Sequence, residues 1–152
     1  MKFDNLRLDN QLCFALYSAT NNITRVYRKL LDEHDLTYPQ YLVLVVLWEQ
    51  DGIAIKDVMQ RLNLDSGTLS PIIKRLQQAK LVNKVRSEHD ERIVHLYLTD
   101  KAKDLEPSIA DIQHQVACAT ALSTDEFREL LGTLHKLADT LNMNTGKKTA
   151  TG

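Results

Sequence analysis

Apolar residues recur at helical spacing along most of this chain, and one stretch past the middle breaks instead into two short apolar runs around a charged tip. Leu12, Leu16, Ile23, Val26, Leu30 and Leu31 form one stripe, which predicts a first helix starting after Asp9 or Asn10 and running to about His34. Such a helix, about 25 residues, is about 37 Å long at a rise of 1.5 Å per residue. That exceeds what a small core needs, so part of it is expected to pack on a partner chain. Thr37-Tyr38-Pro39-Gln40 opens a second helix, with Thr37 as N-cap, Gln40 at the capping-box position and Pro39 in the first turn. Tyr41 to Trp48 is apolar on every face, the mark of a buried central helix, and Asp51-Gly52 ends it. β-propensity alone would allow a strand here, but the capping residues and the length favour a helix.

Ile55 to Leu62 reads as a short helix with Ile55, Val58, Met59 and Leu62 inward. Asn63-Leu64-Asp65 is a tight connection, and Asp65 or Ser66 caps a further helix to about Ala79. Two short helices so joined predict a helix-turn-helix. In the second of them Leu69, Ile72, Ile73 and Leu76 face inward, while Gly67, Pro71, Lys74 and Gln78 lie opposite, flanked by Thr68, Ser70 and Arg75. Leu81 to Arg86 and Ile93 to Leu98 are two strands about the polar tip Ser87 to Arg92, which is a wing. Thr99 caps the next helix. Pro107 is expected to kink or break it, and its apolar positions continue through Ile109, Ile112, Val116 and Ala119. Ser123-Thr124-Asp125-Glu126 is a capping box for a last helix with the stripe Phe127, Leu130, Leu131, Leu134, Leu137 and Leu141.

The predicted fold is therefore mainly α with a small β-hairpin wing. A winged helix-turn-helix DNA-binding module occupies residues 36–99, residues 1–35 and 100–142 form a helical dimerisation region, and 143–152 is a polar tail expected to be disordered. With 152 residues, 43% hydrophobic and 26% charged, the chain can form one real core, and only three prolines and five glycines agree with helices rather than many strands. No apolar run reaches the roughly 18 residues that cross a bilayer, and no secretory signal is visible. Two cysteines do not make a disulfide framework, so the expected compartment is the cytoplasm.

A net charge of −1 does not suggest a nucleic-acid partner until its distribution is read. Ala54 to Leu98 holds eight cations and five anions, a net of +3, which leaves −4 for the remainder. Basic charge sits where the module would present it to phosphates. On the outward face of the second helix-turn-helix element, Gly67 permits close backbone approach, the hydroxyls of Ser66, Thr68 and Ser70 suit base edges or phosphates, and Lys74 and Arg75 supply charge. Arg86 and Arg92 on the wing can reach a neighbouring groove or backbone. A solvated helix face and an ordinary charged hairpin would use the same residues. Helix-turn-helix, wing and local +3 together favour the DNA face.

Cys13 lies in Leu12-Cys13-Phe14-Ala15-Leu16-Tyr17, where a cysteine is most often a small core residue. Here the helix begins within the preceding turn, so free N–H groups and the helix dipole favour thiolate, and Tyr17 lies one turn along the same face as a donor. His114 and Cys118 are four apart, a spacing found in metal sites, yet the remaining histidines are scattered and no metal or other cofactor is expected. No Walker loop, dinucleotide fingerprint, zinc-protease helix or acid-base carboxylate pair is present, so an enzyme is not expected.

Over nearly its whole length the chain resembles the MarR family of dimeric winged-helix regulators, and more narrowly the organic hydroperoxide resistance regulators (OhrR) of two-cysteine type. The matching stretches are Leu12 to Ser18, Leu36-Thr37-Tyr38-Pro39-Gln40-Tyr41-Leu42, Leu64-Asp65-Ser66-Gly67-Thr68-Leu69, and Asp90-Glu91-Arg92, the Asp-x-Arg signature of the wing. Lys80 departs from the pattern, since the family often has glycine there. The resemblance implies a homodimeric repressor of palindromic double-stranded operator DNA, with Cys13 as the peroxide-reactive thiol, Tyr17, Tyr27 and Tyr38 around it, and Cys118 as the resolving cysteine. Tyr27 is 14 residues beyond Cys13, about 21 Å along one helix, so it can reach that sulfur only from the partner chain. Two other readings stay open: a regulator released by a small aromatic acid in the dimer cleft, and a thiol peroxidase, which leaves the wing and helix-turn-helix unexplained.

Overall fold

The computed structural model describes residues 3–146, with side chains through residue 143. Six α-helices and three short strands follow one another as α1 (Leu12–Leu31), α2 (Tyr38–Glu49), β1 (Ile53–Ala54), α3 (Ile55–Leu62), α4 (Ser66–Gln78), β2 (Val82–Arg86), β3 (Val94–Leu98), α5 (Asp100–Ala119) and α6 (Thr124–Gly146). Two single turns of 3-10 helix precede α1 and a third, Asp32–His34, follows it. The first helix covers its apolar stripe, Leu12 to Leu31, and is shorter than the expected run to about His34: its C-terminal end tightens into the 3-10 turn, and Asp35 takes a left-handed conformation that stops it.

Two compact units divide the chain within α5, one through Val116 and the other from Ala117. The first contains the core. Leu31 of α1, Leu44 and Leu47 of α2, Leu69, Ile73 and Leu76 of α4, Leu96 of β3 and Ile109 of α5 are fully buried. α2 sits at the centre because neither of its faces is polar, and its Thr37–Gln40 capping box is formed in both directions. Trp48 at its far end donates from Nε1 to the carbonyl of Ala102 (3.1 Å), which fixes α5 against α2.

The sheet is antiparallel in the order β1-β3-β2, with Ile53 opposite Leu96 and Val82 opposite Leu98. β1 has only two residues and was not expected from the sequence. It is joined to α2 through Asp51, whose Oδ1 accepts from the backbone N–H groups of Gly52 (3.0 Å) and Leu98 (2.8 Å). Gly52 has φ +74°, and a Cβ there would stand 2.8 Å from the Tyr97 ring, so the turn requires glycine.

Pro107 does not break α5, which is continuous from Asp100 to Ala119. The ring and Lys103, whose carbonyl loses its helical donor, both belong to exposed residues, so the proline ring is not forced into the core. The second unit is the end of α5 and the helix α6. The Ser123–Glu126 capping box opens α6 as its sequence predicts (2.8 and 3.3 Å). Among the described residues no side chain of α6 is buried, and Leu130, Leu131 and Leu141 stand exposed. α6 continues to Gly146, into the stretch read as a tail, and residues 147–152 lie outside the described residues. No helix among the described residues is long and apolar enough to cross a membrane.

Candidate nucleic-acid interface and cysteine site

The helix-turn-helix is shaped by two left-handed residues. Asn63 (φ +51°) ends α3, letting Leu64 N–H return to the carbonyl of Met59 (3.0 Å), and the chain turns into α4. Asp65 is the N-cap of α4, its Oδ1 accepting from Thr68 N–H at 2.7 Å. That bond, with lesser help from the Thr68 hydroxyl and Gly67 N–H, holds the carboxyl below its usual range. A Cβ on Gly67 would lie 3.3 Å from the same Oδ1, so glycine leaves the cap undisturbed and the helix start open to an approaching backbone.

Leu69, Ile73 and Leu76 anchor α4 in the core, and Ser66, Gly67, Thr68, Ser70, Lys74 and Arg75 are all exposed, the division the sequence predicts. The far end of α4 closes on Lys80, which adopts φ +58°. Its N–H bonds the carbonyl of Gln77 and that of Leu81 bonds Leu76, both at 3.0 Å, a Schellman closure with lysine in the place that favours glycine.

In the wing, Arg86 is exposed at the end of β2. Asp90 accepts from the Arg92 side chain at Oδ1 (Nε, 3.1 Å) and Oδ2 (3.2 Å), and from Arg92 N–H at 3.0 Å. The guanidinium, then that backbone bond and more weakly Lys56, keep the Asp90 carboxyl below its ordinary range. The Arg92 side chain nevertheless remains 90% exposed. Asp90 is therefore the group that aims Arg92.

Cys13 stands in the first turn of α1, exposed and unbridged, beside Leu12, Phe14 and Tyr17, which are also exposed. No hydrogen bond among the described residues joins Cys13 to Tyr17. Tyr27 and Tyr38 do come together, their ring centroids 5.0 Å apart. A third ring, Tyr41, lies 5.1 Å from Tyr27 and 5.7 Å from Tyr38. Burial, with contributions from the neighbouring phenols, pushes the Tyr27 hydroxyl well above its usual range, and burial raises Tyr38 too, so both remain proton donors at neutral pH. Cys118 is exposed in the last turn of α5. No cluster of metal-ligating side chains occurs among the described residues.

Residues 25–109 match the family profile of the transcriptional regulator SarA/Rot. The chain belongs to that family, whose winged-helix fold is of the MarR type. Over 143 residues the SarA/Rot-type chain is 46% identical to the HTH-type transcriptional regulator TtmR of Methylorubrum extorquens (strain PA1), covering 94% of this chain and 73% of that one. It is 40% identical over 141 residues to the organic hydroperoxide resistance transcriptional regulator of Bacillus subtilis (strain 168), covering 93% and 96%. A structure of reduced AbfR bound to DNA superposes with a TM-score of 0.80 at 31% identity, covering 95% of this chain and 99% of that one. This MarR/SarA-type protein is a DNA-binding transcriptional regulator.

Tyr41, the third ring of this cluster, opens an unbroken apolar run, where an aromatic reads as packing. The signal was available: Tyr38 and Tyr41 are three apart on one helix and therefore share a face.

Proposed function

We propose that this regulator is a homodimeric, cytoplasmic repressor that holds palindromic operator DNA while reduced and releases it when Cys13 is oxidised by an organic hydroperoxide. The observation that carries the reading is the exposure of Cys13 in the first turn of α1, amid apolar side chains that its own chain leaves uncovered. The likeness to a hydroperoxide-resistance regulator and to a DNA-bound protein described as reduced supports it.

In this reading the DNA face is Ser66, Gly67, Thr68, Ser70, Lys74 and Arg75 with the wing residues Arg86, Asp90 and Arg92. The Cys13 thiolate attacks the outer oxygen of the hydroperoxide. An S–O bond forms as the O–O bond breaks, the alkoxide leaves and takes up a proton as alcohol, and sulfur gives up two electrons. The thiol of Cys118 on the other subunit then attacks the sulfenic sulfur, an S–S bond forms, and hydroxide departs with the thiol proton as water. Bridging requires Cα atoms within about 7 Å, so helices of the two subunits are drawn to fixed positions, and the winged modules no longer fit successive grooves. Tyr17, Tyr27 and Tyr38 surround the thiol, Tyr27 from the partner subunit together with the Tyr38 that packs on it.

Titrating an operator complex with cumene hydroperoxide while counting free Cys13 by mass spectrometry tests the reading. DNA release should track loss of the Cys13 thiol. Release with Cys13 still reduced would overturn it.

A further inference from the structure

The three-tyrosine cluster contains more than the sensor reading needs. Tyr27 and Tyr41 are both buried, and their hydroxyl oxygens lie 3.5 Å apart. Strong O–H···O bonds are about 2.7–2.8 Å long, so this contact leaves the Tyr27 proton available to a better acceptor. Tyr38 packs its ring against both others, which fixes the Tyr27 ring from one side while Tyr41 holds it from another. A tyrosine whose role was only to fill space would need no oxygen in this place, because phenylalanine packs equally well.

Resting on the thiol-sensor reading above, we infer that Tyr41 is a positioning residue of that sensor: its hydroxyl donates to the Tyr27 oxygen and so aims the Tyr27 O–H at Cys13 of the partner subunit. Chained donors polarise one another, so the Tyr27 O–H becomes the stronger donor when Tyr41 stands behind it. A donor to the charged form of the thiol favours that form, which is the nucleophile. Burial keeps both Tyr27 and Tyr38 protonated as the arrangement requires. Tyr41 itself touches neither peroxide nor sulfur.

The test is Tyr41→Phe in the full-length protein, with Tyr27→Phe, the double variant and Cys13→Ser beside it. Reaction of Cys13 with cumene hydroperoxide should slow roughly three- to tenfold in Tyr41→Phe, the size of one net hydrogen bond. The pH profile of Cys13 alkylation should move to higher pH, and operator affinity of the reduced protein should not change. Because Tyr41 acts through Tyr27, the double variant should be no slower than Tyr27→Phe. Unchanged alkylation and oxidation in Tyr41→Phe would overturn the inference, as would losses that multiply in the double variant. If Cys13→Ser still released DNA, the sensor reading itself would fall, whereas a silent Tyr41→Phe beside an unresponsive Cys13→Ser would remove this inference alone.

Discussion

The hydroxyl of Thr99 donates to the carbonyl of Lys80 at 2.8 Å, tying the start of α5 to the residue that closes α4. The same oxygen caps α5 by accepting from Ala102 N–H (3.2 Å), and Lys101 Nζ donates to the carbonyl of Ala79 (3.0 Å). The end of α4 is thus built jointly by two elements, one of which carries Cys118 at its other end.

Stability follows from this closure. Thr99→Val removes both the cap and the donor and should cost about 1–2 kcal/mol. Lys80→Gly relieves a left-handed lysine and should gain roughly 0.5–1 kcal/mol after the extra freedom of glycine in the unfolded chain is subtracted. Urea unfolding of both variants measures the two shifts. Equal midpoints would mean that neither group matters to the closure.

For DNA, Arg92→Ala should weaken binding on most sequences, since a wing-tip arginine contributes mainly electrostatic affinity. Asp90→Ala should also weaken it, although it removes a negative charge, because the carboxylate aims Arg92. Lys74→Ala should lower affinity and flatten the dependence on log salt by about one unit. Fluorescence anisotropy across a salt series measures all three. Tighter binding by Asp90→Ala would show that charge, and not orientation, dominates at that position.

Light scattering at micromolar concentration should give twice the 17.4 kDa of one chain. Leu12 is 63% exposed and Tyr17 64%, and α6 leaves Leu130 and Leu131 uncovered, apolar surface that a second copy would bury. Dimeric helix-turn-helix proteins place recognition helices about 34 Å apart, one DNA turn. A monomeric mass would remove the palindromic operator from the account.

Much of this was legible in the sequence, and the physical reasons differ by element. The capping boxes at Thr37 and Ser123 and the N-cap at Asp65 are local, decided within four residues, and each is formed as expected. β1 was not legible, because a two-residue strand exists only through its pairing with Leu96 and His95, some forty residues on. Lys80 departs from the family's glycine, yet the lysine takes the left-handed conformation, its carbonyl held by a bond from Thr99 that sequence spacing does not reveal. Tyr27 and Tyr38 were named from a resemblance, and their meeting with Tyr41 depends on how α1 packs against α2.

After peroxide treatment a denaturing, non-reducing gel should show covalent dimer, and Cys118→Ser should show none, since Cys118 is the only other thiol in the sequence. Monomer carrying an internal Cys13–Cys118 peptide would place the bridge within one chain.

The most direct measurement is operator binding by Cys13→Ser with and without organic hydroperoxide. Serine is nearly isosteric with cysteine and cannot form a sulfenic acid, so the variant should bind DNA like the reduced wild type and stay bound at peroxide levels that release it. Release of Cys13→Ser at the wild-type peroxide concentration would contradict the account.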